Sequence, residues 1–131
     1  MSINFRLSYP PSVNTYYRAY NQAFRGGKGM TVLLSERGRK YKNLAQAELL
    51  EQNVRRGDPD ARYSVLIDMY PKDRRKRDVD NILKPLLDVM EEYGVLPDDS
   101  QVDILTVRRR GRGDYVTIRL SEIDPEDSLA S

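Results

Sequence analysis

The chain contains no cysteine and no histidine. Without cysteine there is no disulfide framework, no thiolate zinc site and no sulfur nucleophile. Without histidine there is no imidazole base and no histidine metal ligand. Phosphodiester chemistry in such a chain would rest on carboxylates, lysine, tyrosine or serine, which favours a divalent ion held by carboxylates. Long apolar runs are missing too. No stretch approaches the roughly 18 residues of a membrane span and nothing resembles a signal peptide, so the expected location is the cytoplasm. No glycine-rich phosphate loop is visible, which argues against a nucleotide-binding enzyme. An excess of one charge is absent as well: lysine plus arginine total 22 against 20 acids, a net charge of +2. That sum does not identify a nucleic-acid binder.

The placement of the charges says more. Arg74, Arg75, Lys76 and Arg77 form one basic run, Arg108, Arg109, Arg110 and Arg112 a second, and acids gather after Ser121. On one face of a fold, the two runs would make a local field far more positive than the total. The first run leads straight into Asp78 and Asp80 within DRRKRDVDNILK, and the pair Asp98-Asp99 follows in LPDDSQV. Lysine and arginine neutralise phosphates, and aspartate oxygens suit a hard cation such as Mg²⁺. The juxtaposition reads as a metal-dependent enzyme of nucleic acid. At 131 residues the chain makes about one domain, so binding surface and active site share one body.

Ile3, Phe5 and Leu7 alternate with polar residues as a half-buried first strand, ended by Pro10-Pro11. From there to about Met30 no period is visible, and Tyr16, Tyr17, Tyr20 and Phe24 mix with Arg18, Arg25 and Lys28. Such loops are often functional, and bases could stack on these rings; the alternative is that several rings pack on the core. Ser35 predicts a helix cap, with Tyr41, Leu44, Ala45, Leu49 and Leu50 at helical spacing and an end near Gly57-Asp58-Pro59. Tyr63 to Tyr70 predicts an apolar strand. A second helix carries Leu83, Leu86, Leu87, Met90 and Tyr93 and stops at Gly94. Val102 to Val107 and Tyr115 to Leu120 predict a final hairpin around the turn GRGD. The order suits an α/β (α+β-like) domain, a single mixed β-sheet of about four strands with helices packed on it.

Asp78 and Asp80 lie between a strand and a helix, and on extended backbone they point the same way, so both could reach one ion. Asp99, or its neighbour Asp98, could supply a third carboxylate. A DxD pair alone is weak, since most such acids are solvated. Lys84 follows Asp80 by four residues; as a surface ion pair this would mean little, whereas beside a reacting phosphate the ammonium would stabilise developing charge. Pro85 is comfortable only in a helix's first turn, which predicts that the regular helix begins near Lys84 or bends there.

Four segments together resemble a known family, the RusA-type Holliday-junction resolvases, many of them encoded by phages and prophages. PPSVNTYYR, from Pro10 to Arg18, is similar to the family's amino-terminal signature. LSERGRKYK, from Leu34 to Lys42, is similar to the next, and DRRKRDVDNILK and LPDDSQV to the catalytic pair. The resemblance implies a single RusA-like nuclease domain over residues 1–121; the remainder, 122–131, is acidic and aperiodic, which predicts a disordered tail. It implies a homodimeric, Mg²⁺-dependent endonuclease, with Mn²⁺ as a substitute, that nicks two opposing strands of a four-way DNA junction. Asp78, Asp80 and Asp99 would be its metal-binding aspartates and Lys84 its essential lysine, with Asn81 in support. Arg18, Arg74, Arg75, Lys76 and Arg77 are the candidate DNA-binding residues, together with part of the Arg108 to Arg112 turn. Two features depart from the family pattern: Gly26-Gly27 and Gly29 extend the loop, and Pro85 follows the lysine. Two other readings stay open, a noncatalytic branched-DNA-binding protein and a nuclease acting on forks, flaps or RNA.

Overall fold

In β1, Ser2–Ser8, residues Ile3, Phe5 and Leu7 point into the core and their neighbours face solvent, the two-residue alternation of a strand with one covered face. In the computed structural model, which describes residues 2–21, 30–73, 79–124 and 126, the remaining elements follow in order. They are α1 (Val13–Tyr16), β2 (Tyr17–Asn21), β3 (Met30–Leu34), α2 (Glu36–Glu51), β4 (Tyr63–Tyr70), a 3₁₀ turn (Val79–Ile82), α3 (Leu83–Tyr93), a second 3₁₀ turn (Asp99–Gln101), β5 (Val102–Arg109) and β6 (Tyr115–Glu122). The main sheet has four strands in the order β1-β6-β4-β5. β6 runs antiparallel to both β1 and β4, and β5 runs parallel to β4. The sheet is therefore mixed, as predicted.

The predicted hairpin of the last two strands does not form. β6 lies on the far side of β4 from β5, and the connector crosses the end of β4: Arg110 N–H donates to Met69 O at 2.8 Å and Gly113 N–H to Pro71 O at 3.0 Å. Burial accounts for the order. Val116, Ile118 and Leu120 are all buried and take β6 to the middle, whereas Ile104 and Leu105 remain 52% and 41% exposed on the edge strand. The parallel β4–β5 pair needs a crossover, and α3 supplies it.

The stretch predicted to lack period contains structure: α1, then β2 and β3 paired antiparallel from Tyr17 opposite Leu34 to Asn21 opposite Met30. Residues 22–29, including Phe24, Arg25, Lys28 and the extra glycines, lie outside the described residues. Tyr16 is buried in the core, so for this ring packing is the outcome.

Helix α2 begins as predicted, with Ser35 Oγ accepting from Gly38 N–H at 2.9 Å. It ends at Glu51 rather than near Gly57. Asn53 takes a left-handed φ of 54°, and the backbone closes with Val54 N–H to Leu49 O at 3.1 Å and Asn53 N–H to Leu50 O at 3.0 Å. This paired pattern satisfies the last carbonyls of a helix and turns the chain out of it. Tyr41, Ala45 and Leu49 are buried, whereas Leu44 and Leu50 are largely exposed. Helix α3 ends at Gly94 with φ of 95°, a conformation that favours glycine. Pro85 occupies the first turn of α3, where its missing N–H has no intrahelical partner to lose. No helix among the described residues is long and apolar enough to cross a membrane.

Candidate active site

Three local devices bring chemistry to α3. The first fixes the amino-terminal segment: the Ser35 hydroxyl donates to the carbonyls of Thr15 and Tyr16. Gly38 lets the Tyr16 carbonyl lie against α2, since a side-chain carbon there would collide with that oxygen. Ser35 and Gly38 in LSERGRKYK thus hold PPSVNTYYR in place. The second device presents Asp99. Asp98 caps the short turn by accepting from Ser100 N–H at 3.0 Å, and its own N–H donates to Gln101 Oε1 at 2.9 Å. Gln101 is buried, and its amide donates to the Asp58 and Ala61 carbonyls, both at 2.8 Å. A buried amide so fully bonded fixes its backbone, and Asp99, two residues earlier, stands exposed on this frame. Asp98 is committed to the cap, its carboxyl held below the ordinary value by the hydrogen bonds from Ser100.

The third device is on α3 itself. Lys84 lies exposed in the first turn, with its Nζ 5.5 Å from the centre of the Tyr17 ring. The Tyr17 hydroxyl donates to Asp88 Oδ2, one turn after Lys84 on the same helix face. Burial, and then the charges of Asp99 and Glu92, raise the Asp88 carboxyl above its ordinary value. Glu91, although exposed, is raised by partial desolvation and then by Asp99, Asp98 and Asp88. The same acids act on the buried Tyr16, whose phenol is pushed up to about 12 by burial, then by Asp88 and Glu92. Lys42 reaches Glu92 at 2.7 Å. A groove of about 560 Å³ opens here, lined by Tyr16, Leu34, Lys42, Asp88, Glu91, Glu92 and Pro97.

A second groove, about 470 Å³, lies where the amino-terminal segment meets the turn before α3, and is lined by Pro10, Ser12, Thr15, Arg37, Lys72 and Asn81 among others. Arg37 and Lys72 make no ion pair with an acid among the described residues.

The family model for endodeoxyribonuclease RusA matches residues 8–121. This chain belongs to the RusA family. It is 33% identical over 122 residues to the crossover junction endodeoxyribonuclease of Enterobacteria phage HK97, covering 92% of this chain and 94% of that one. It is 38% identical over 105 residues to the crossover junction endodeoxyribonuclease of Aquifex aeolicus, covering 79% and 75%.

Within this RusA-family domain, Asp80 is exposed in the 3₁₀ turn immediately before α3, and Asp99 is set after the helix. Among the described residues no three acids are grouped closely enough to hold a metal. Asp78, Arg74, Arg75, Lys76 and Arg77 lie outside the described residues, and Arg18 is placed only by its backbone, opposite Leu33 in β2. Arg108 is held by Asp68, with Nε at 2.6 Å from Oδ1 and Nη2 at 2.9 Å from Oδ2. Its charge is therefore largely spent within the sheet. The donors around α3 are carboxylates, the chemistry that suits a hard divalent ion, and burial followed by neighbouring acids raises two of them, Asp88 and Glu91. Asp88 was not singled out from sequence, and Tyr17 was noted only as one of the rings on which bases could stack. For Asp88 a signal existed, as the acid one turn after Lys84 in the otherwise apolar stretch LLDVM.

Proposed function

We propose that this protein is a structure-specific endodeoxyribonuclease that resolves four-way DNA junctions by paired symmetric nicks, during recombination or repair in the cytoplasm of a bacterial cell. The observation that carries the reading is the family match across residues 8–121, with the exposed Asp80, Lys84 and Asp99 set around one helix.

Asp78, Asp80 and Asp99 would hold one or two Mg²⁺ ions, with Mn²⁺ as a substitute. When bound, the ion supplies an activated water and stabilises charge on the phosphoryl oxygens. Lys84, exposed in the first turn of α3, would offer a compact positive charge and N–H donors to the scissile phosphate. Asn81, in the same turn as Asp80, would have a supporting role. Arg18 and the run from Arg74 to Arg77 would hold the junction backbones, and Arg37 and Lys72, which line one groove, would add basic contacts. One active site cuts one strand, so two nicks related by the junction's two-fold symmetry call for a homodimer.

The test is a substrate panel with purified protein and Mg²⁺: four-way junction, three-way junction, fork, flap, linear duplex and the corresponding RNA. Paired nicks placed symmetrically in the four-way junction are expected. Preferential cutting of forks, flaps or RNA would move the protein to another nuclease class. Tight junction binding without nicks would make it an architectural DNA-binding protein.

A further inference from the structure

We infer that Tyr17 is a positioning residue for Lys84, carrying the lysine's ammonium against its ring while Asp88 holds the ring in place by its hydroxyl. This rests on the reading that Lys84 acts at the scissile phosphate.

A lysine ammonium rides on a flexible four-carbon stem, and a charge that must meet one developing oxyanion gains from being held in one place. A carboxylate partner would hold Lys84, but it would also engage the N–H donors and cancel the charge. No acid among the described residues pairs with it. The Tyr17 ring lies instead 5.5 Å from Nζ, within the distance at which a cation is attracted to an aromatic face. Such a contact restrains the ammonium and leaves its donors available for phosphate oxygens.

The ring is itself fixed from several directions. Tyr16, only 1% exposed, meets it edge to face with centres 4.8 Å apart. Its backbone opens β2, opposite Leu34. Its hydroxyl donates to Asp88. Tyr17 thus spans one turn of α3, with its oxygen on Asp88 and its ring beside Lys84. A phenol that donates to a carboxylate also carries more negative charge on its ring, which strengthens its pull on a cation. The Tyr16-Tyr17 pair of the amino-terminal signature and the lysine of the later motif therefore form one unit, joined through Asp88.

The experiment is single-turnover cleavage of a four-way junction at saturating protein in Mg²⁺, with junction Kd measured separately without metal. The variants are Tyr17→Leu, Tyr17→Phe, Lys84→Ala and the double substitution Tyr17→Leu with Lys84→Ala. Tyr17→Leu is expected to slow cleavage about tenfold while Kd changes less than about twofold, and Tyr17→Phe, which keeps the ring, to slow it about threefold. In the Lys84→Ala background, Tyr17→Leu should cause no further loss. Equal fractional losses in both backgrounds would show that Tyr17 acts through packing alone and would overturn the inference. An unchanged rate for Tyr17→Leu would do the same. Wild-type cleavage by Lys84→Ala would instead remove the lysine from the mechanism, and the inference with it. If thermal melts show that Tyr17→Leu does not fold, Tyr17→Phe in both backgrounds gives the same comparison.

Discussion

The acids of the sheet and the acids beside α3 sit in opposite surroundings. On the sheet, Asp68 takes a two-point contact from Arg108, and Asp103 lies 2.5 Å from the Arg62 guanidinium. The bond from Arg108 holds the Asp68 carboxyl below its ordinary value. Beside α3, Asp88 and Glu91 are raised by burial and by their acidic neighbours, and the cation that reaches this group, Lys42, pairs with Glu92. Arginine pairs with these acids of the sheet, whereas among the described residues Asp88 and Glu91 carry the cost of burial and then of repulsion by the acids near them. Repulsion of this kind costs stability in the isolated fold, and a divalent cation would relieve it. The contrast supports the proposal that the α3 flank, and not the ion pairs within the sheet, carries the function.

The largest expected effect separates two neighbouring acids. With Asp99 as a metal ligand, as proposed, Asp99→Asn should lower single-turnover junction cleavage about a thousandfold or more, since losing such a ligand removes several kcal/mol of transition-state stabilisation. Asp98→Asn, which alters a cap, should keep most of the rate. Equal losses would leave the assignment of Asp99 without support.

Metal binding should also appear in stability. Mg²⁺ at about 100 times its dissociation constant should add about 2.7 kcal/mol and raise Tm by several degrees. Scanning calorimetry should show that increment lost in Asp80→Asn and retained in Asp68→Asn. An equal increment in both would place the ion elsewhere. The proposed DNA-binding cations and the paired Arg108 should differ in the same way. Arg77→Gln should weaken junction binding and reduce the slope of log Kd against log salt by about 1. Arg108→Gln, whose charge already faces Asp68, should leave that slope nearly unchanged.

The two smallest effects have opposite signs. The folded-state value of Asp88 lies above its unfolded 3.8, so its charged form opposes folding. That cost is complete at neutral pH and disappears as pH falls below 3.8. In EDTA, Asp88→Asn should therefore raise Tm slightly at pH 7 and leave it unchanged near pH 3, while the amide oxygen can still accept from Tyr17. The folded-state value of Asp68 lies below 3.8, so its pair adds stability above that value and loses it as pH falls through the folded-state value. Asp68→Asn should lower Tm at pH 7 by a modest amount, and the difference should vanish in acid. Melting curves that shift in the same direction for both variants at pH 7 would break the comparison.

Much of the frame was legible in local signals. Ser35 and Gly94 mark helix ends because capping chemistry is written in one or two residues, and Pro85 places the start of α3 within a turn. Strand pairing was less accessible. Alternation in Val116, Ile118 and Leu120 shows which face is buried but not which neighbour a strand has, and a GRGD turn reads as a hairpin until its backbone is seen bonding to the end of β4. The end of α2 depended on Asn53 adopting a left-handed conformation, a weaker cue than the Gly57-Asp58-Pro59 cluster beyond it. At the candidate site, Asp80, Lys84 and Asp99 stand out in charged motifs. Asp88 looks like a polar interruption of an apolar helix, and its importance depends on Tyr17, 71 residues away in sequence. Such a contact exists only after packing, so no local pattern shows it.

The most direct test of the central claim is single-turnover cleavage of a labelled four-way junction by wild type, Asp80→Asn and Asp68→Asn, each with Mg²⁺ and with EDTA. The account predicts paired nicks by wild type and Asp68→Asn in Mg²⁺, none by any protein in EDTA, and none by Asp80→Asn although it still binds the junction. Cleavage by Asp80→Asn at the wild-type rate, or cleavage that persists in EDTA, would contradict it.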